Sequence, residues 1–144
     1  MLPEVDPFDA DPHRPLTPQG SVLVTGPMSA GTRVLARIVS ECPEVTVFHD
    51  KGHGSTAYTD QRATVIITRD PTITDQSRAA RHRAGIPRER SMVSLPVHYP
   101  DALWVTYEAL VVDSAAVIAE MADHFGVEPW PTEIEVYDGN AHWT

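Results

Sequence analysis

Residues 21–33 read SVLVTGPMSAGTR. The first five are apolar or β-branched, the mark of a short buried strand. Residues 26–32, GPMSAGT, form a tight loop, and a helix is predicted from Thr32 to about Glu41. Its apolar residues Val34, Leu35, Ile38 and Val39 share one face, with Arg33, Arg37 and Glu41 directed away. Cys42-Pro43 ends it, because the residue before a proline is pushed out of the α region. A glycine loop joining a parallel strand to a helix aims backbone N–H groups and the helix dipole at one point. That point is a ready anion site.

The same texture repeats outward. Strands are predicted at Val45–Phe48, Ala63–Thr68 and Ala102–Tyr107. A helix follows Arg69-Asp70-Pro71 and ends near Gly85, with Pro87 beyond it, and another spans Ser114 to Phe125 with Gly126 as its stop. Alternating strands and helices predict an α/β fold: a parallel sheet with flanking helices, in three layers, of the P-loop nucleotide-binding type. Residues 21–144 form this single domain. Residues 1–20, with five prolines among Asp6, Asp9 and Asp11, read as an extended acidic arm. The arm offers a contact for a homo-oligomer. The tail from Val127 carries an alternation, Glu133-Ile134-Glu135-Val136, that suits either an edge strand or a strap.

Composition narrows the functions. At 144 residues the chain can bury a core without staples. Eleven basic residues against 20 acidic ones leave a net charge of −9, which argues against nucleic acid as a partner. No apolar run reaches the ~20 residues of a membrane span, so no membrane partner is expected. The N-terminus reads as neither a secretory signal nor a transit peptide, and a cytoplasmic location is expected. One cysteine, Cys42, excludes an internal disulfide, and the seven histidines are not read as a metal site.

Three features carry chemistry. Gly26 and Gly31 stand five apart, as in the loop GxxxxGK[ST], but Thr32 and Arg33 follow, so the usual lysine is missing and an ordinary ATP or GTP loop is disfavoured. Arg69 ends a buried strand, where α/β proteins bind ligands, and Ser77 follows eight positions later. A guanidinium and a hydroxyl so placed suit a phosphate monoester. The loop His49-Asp50-Lys51-Gly52-His53 supplies a histidine with the neutral-range pKa of a general base. His53 is the candidate and His49 its competitor; both also fit as solvated loop residues. Arg78, Arg81, Arg83, Arg88 and Arg90 add a local basic patch, which suits either a solvated helix face or an attractor of anions.

Taken in order, MSAGTR (Met28–Arg33), VIITRDPTITDQS (Val65–Ser77) and TYEALVVDSAAVIAEMADHFGV, with Tyr107, Glu108, Leu110, Phe125 and Gly126, resemble the sulfotransferase family. The resemblance implies 3′-phosphoadenosine 5′-phosphosulfate as donor, no metal, and sulfuryl transfer to a small-molecule or glycan hydroxyl or amine. By that likeness Gly26, Ser29, Ala30, Gly31, Thr32 and Arg33 hold the 5′-phosphosulfate, and Arg69 and Ser77 the 3′-phosphate. Lys51-Gly52-His53 matches the family's Lys-x-His pair, making His53 the base, with Lys51 and Arg33 as catalytic cations. The chain departs from the family at Ser29, where many members have a lysine, and lacks a late Arg-Lys-Gly loop. Two alternatives are a nucleotide or nucleoside kinase-like enzyme and a non-catalytic nucleotide-binding module.

Overall fold

The computed structural model describes residues 16–83 and 95–142. Residues 1–15 of the expected arm, Gly85, Pro87, Arg88 and Arg90 lie outside this range, as do the side chains of Arg78, Arg81 and Arg83. Four strands form one parallel sheet in the order β2-β1-β3-β4: β1 (Ser21–Thr25), β2 (Thr46–His49), β3 (Ala63–Thr68) and β4 (Leu103–Thr106). The helices are α1 (Thr32–Ser40), α2 (Pro71–Arg83), α3 (Leu95–His98), α4 (Tyr107–Val112) and α5 (Ser114–Phe125). This is the expected α/β architecture.

Alternation along the strands builds two cores. Val22, Val24, Val65, Ile67 and Val105 face α1 and α5, packing with Leu35, Ile38, Val39, Ile118, Met121 and Phe125. Leu23 and Ile66 face the other way and pack with Leu95 and Tyr99. All five residues of β1 are buried, as a central strand covered on both faces requires. Its register aligns Val24 with His49 on one side and with Val65 on the other.

Four segments differ in detail from the sequence reading. β2 runs from Thr46 to His49 rather than from Val45 to Phe48, because its pairing with β1 extends to Val24 opposite His49 and takes His49 out of the loop. The fourth strand stops at Thr106, because the Thr106 hydroxyl accepts from the Ala109 N–H and caps a short helix, α4, that begins at Tyr107. Helix α3 precedes β4 and was not signalled. Residues 16–20, expected in the arm, belong to the domain's edge: Thr17 is buried and its N–H donates to the Thr59 carbonyl at 2.7 Å.

The tail is a strap rather than a strand. Trp130 is buried, stacks on Phe125 and donates its indole N–H to the Ile38 carbonyl at 2.9 Å. Glu41 accepts from the Thr132 hydroxyl and the Glu133 N–H. Thr132, Ile134 and Val136 turn inward while Glu133, Glu135 and Tyr137 face solvent, so the alternation survives without a strand partner.

Candidate functional site

Chain order fixes where a site can form. β1 connects to β2 on one side, and the chain then crosses to β3 on the other. The C-terminal ends of β1 and β3 therefore flank the reversal point of the sheet, where loops diverge and leave a crevice. The glycine loop leaves from β1, and Arg69 stands just beyond the last residue of β3.

The loop is shaped by close backbone approach. A Cβ on Gly26 would lie 2.3 Å from the Ile67 carbonyl oxygen, so only glycine lets the loop pass over β3. Gly31 is the N-cap of α1 with φ of 100°, and a Cβ there would meet the Tyr107 ring at 2.8 Å. Ser29 also adopts a left-handed φ of 69°. Gly31 has no side chain to cap α1, so the N–H groups of the first turn are left for water or an anion.

The Arg69–Ser77 segment reaches back to this loop. Arg69 donates from Nη1 to the Ser29 carbonyl at 3.0 Å and from Nε to Asn140 Oδ1 at 2.6 Å. Its guanidinium lies over the Tyr107 ring, 4.5 Å from the centroid. The Ser77 hydroxyl donates to the Ser29 hydroxyl at 2.7 Å. Two segments separated by about 40 residues thus meet at Ser29. The turn between Arg69 and Ser77 is secured by Asp70, whose Oδ1 accepts from Thr72 N–H at 2.8 Å and whose own N–H donates to Glu108. Pro71 opens α2, where its missing N–H costs nothing.

On the other side of the loop stands His49, the last residue of β2. Its Nε2 lies 3.2 Å from Thr32 Oγ1, a hydrogen bond that links the β2 end to the start of α1. Burial holds the His49 pKa below its ordinary value, and His53, Arg33 and Lys51 push it the same way, against an opposing pull from Asp50. The His53 ring lies 6.3 Å from that of His49, centroid to centroid. Its own backbone is left-handed, with φ of 49°, and its N–H donates to the Asp50 carbonyl at 3.3 Å. Lys51 and Arg33 are exposed.

Thr32 and His49 therefore touch, with His53, Arg33 and Lys51 grouped around His49. Arg69, Ser77 and Ser29 form a second cluster on the same loop. The two histidines stand four apart in sequence, but His49 ends β2 and His53 lies on the loop that follows, so they do not share one face of a helix. Among the described residues no group of three or more His, Cys, Asp or Glu could hold a metal.

The sequence reading gave no role to Asp50 or Asn140. Asp50 is fully buried and accepts from the Thr25 hydroxyl at 2.7 Å and from the N–H groups of Gly52, Gly54 and Ser55. It folds the histidine loop around one carboxylate. Burial and this carboxylate push the Tyr58 pKa up to about 12, keeping that phenol neutral. The signal was present, an Asp with glycines two and four residues later, the composition of an Asx turn. Asn140 gave none, because its partner is 71 residues away.

No protein-family model matches the chain, and comparison with curated proteins and with solved structures returns no match.

Proposed function

We propose that this protein is a sulfotransferase-like enzyme on a P-loop-type, three-layer domain, with 3′-phosphoadenosine 5′-phosphosulfate as donor. The observation that carries the reading is the meeting of Arg69 and Ser77 with Ser29 of the glycine loop, at the reversal point of the sheet. One end of a nucleotide bearing two separate phosphate groups would lie on the N–H groups of Ser29, Gly31 and Thr32, since that of Ala30 donates to the Pro27 carbonyl. The other would lie against Arg69 and Ser77.

In the proposed reaction an acceptor hydroxyl or amine, on a small molecule or a glycan, attacks sulfur in line. The new bond to sulfur forms as the bond from sulfur to the bridging phosphate oxygen breaks. The leaving group is adenosine 3′,5′-bisphosphate. The acceptor proton passes to a histidine of the 49–53 loop. The hydrogen bond to Thr32 and a lowered pKa favour His49, which is ready as an unprotonated base at neutral pH. Arg33 and Lys51 supply positive charge near that point, and the chemistry asks for no metal.

Ser29 in place of a lysine favours a second reading, a nucleotide-binding module without turnover. The test is calorimetry with adenosine 3′,5′-bisphosphate, adenosine 5′-phosphate and ATP, with and without Mg²⁺. The bisphosphate should bind about tenfold or more tighter than the monophosphate, equivalent to about 1.4 kcal/mol. Arg69→Ala should erase the difference. Equal affinities for the two would overturn the assignment, and ATP binding that requires Mg²⁺ would point to a kinase-like enzyme. Bisphosphate preference without sulfuryl transfer to any acceptor would support the binding module.

A further inference from the structure

We propose that the strap completes the anion site and that Asn140 is a positioning residue for Arg69. This rests on the phosphate-binding reading above and adds a residue that no motif assigned.

A free arginine side chain carries about 2 kcal/mol of rotamer entropy, so a guanidinium whose plane is already fixed binds a phosphate at a smaller entropic cost. Arg69 is fixed on three sides. The Ser29 carbonyl accepts from Nη1, Asn140 Oδ1 accepts from the Nε–H, and the Tyr107 ring covers a face. All three partners are neutral, so they orient the guanidinium without neutralising it. The N–H groups that remain belong to the two terminal nitrogens, whose fork matches phosphate oxygens.

The strap is built to deliver the Asn140 side-chain oxygen. Trp130 anchors it on α1, and the Tyr107 hydroxyl donates to the Tyr137 carbonyl. Gly139 N–H then donates to Tyr107 Oη at 3.0 Å. A Cβ on Gly139 would come within 3.0 Å of both Arg69 Nη2 and Tyr107 Oη, so glycine gives the strap its closest approach. Asp138 accepts from the Asn140 N–H at 3.2 Å, which engages the nearby carboxylate in the turn while the amide reaches Arg69.

The experiment combines calorimetry on the full chain with NMR of the Arg69 Nε–H, its signal assigned by Arg69→Lys. In the wild type the Nε–H should exchange slowly and be visible at neutral pH. Asn140→Ala should lose that signal and about fivefold of the affinity for adenosine 3′,5′-bisphosphate, the size of one hydrogen bond. Affinity for adenosine 5′-phosphate should stay unchanged. Asn140→Asp should abolish the preference altogether by closing an ion pair on Arg69. Gly139→Ala, whose methyl would press on Arg69 Nη2, should also reduce it. Melting temperatures confirm that each variant is folded. Wild-type preference retained in Asn140→Ala would overturn the positioning role and leave the phosphate site standing. Tighter binding by Asn140→Ala would overturn it too, by making Asn140 a competitor of the phosphate. A wild type that does not distinguish the two nucleotides would overturn the phosphate reading and this inference together.

Discussion

At His49 the proposed role as a base and the stability of the fold depend on the same proton. Burial and the cationic groups around it depress its pKa, so the folded chain takes up this proton less readily than the unfolded chain. The unfolded state therefore binds more protons as pH falls below the ordinary value of 6.5. The stability that neutral His49 preserves is present above that value and is lost as pH falls towards the lowered one. An NMR titration should place the His49 midpoint below 6.5. His49→Gln should lose less stability than wild type between about pH 7.5 and about pH 5.5. A midpoint at or above the ordinary value would remove the argument for His49 as a neutral base. In turnover assays His49→Ala should cost about 10²-fold, the usual order for a lost general base. Donor affinity should barely change, and His53→Ala should cost less.

The strand–loop–helix unit depends on an intimate crossing. Gly26 passes so close to β3 that an added methyl would strike the Ile67 carbonyl oxygen, which cannot rotate away because it belongs to a buried strand. Gly26→Ala should destabilise the domain by about 3 kcal/mol, the upper end for forcing one methyl into a packed interior, as read from urea unfolding. Strands and major helices were legible in the sequence, because their apolar patterns report burial directly. β3 matches its predicted span, and α1 and α5 match closely. The division between β4 and α4 was not, because Thr106 serves as cap and strand residue at once. At the site, glycine spacing and the Arg69–Ser77 interval singled out two separate segments; that both Arg69 and Ser77 reach Ser29 was not legible, because the contacts span 40 and 48 residues. What the sequence did not convey was which histidine meets Thr32. The extent of β2 decides that, since pairing with β1 carries the strand one residue past Phe48 and sets His49 beside the start of α1.

Across the domain, the strap couples parts that the sheet alone leaves apart. It grips α1 through Trp130 and Glu41, then crosses to Tyr107 at the start of α4 and Arg69 at the end of β3. Trp130→Ala should cost about 3–5 kcal/mol in chemical unfolding, as for other buried aromatic deletions. The same substitution should weaken binding of adenosine 3′,5′-bisphosphate although Trp130 lies at α1, remote in sequence from Arg69. Trp130→Phe keeps most of the packing and should lose only about 1 kcal/mol, the net worth of one hydrogen bond. Binding unchanged in Trp130→Ala would show that the two ends of the strap act independently.

The chain's sole thiol lies directly after Glu41, which the strap grips, and in the same buried cluster as Trp130. Cys42 is therefore a built-in clock for the opening of this region. An alkylating reagent in excess would react only when the thiol becomes accessible, so the labelling rate counts openings. Slower labelling on saturation with adenosine 3′,5′-bisphosphate would mean that a ligand at Arg69 holds the far end of the strap shut. The molecule would then carry its own recorder of occupancy, readable by mass spectrometry without an added probe.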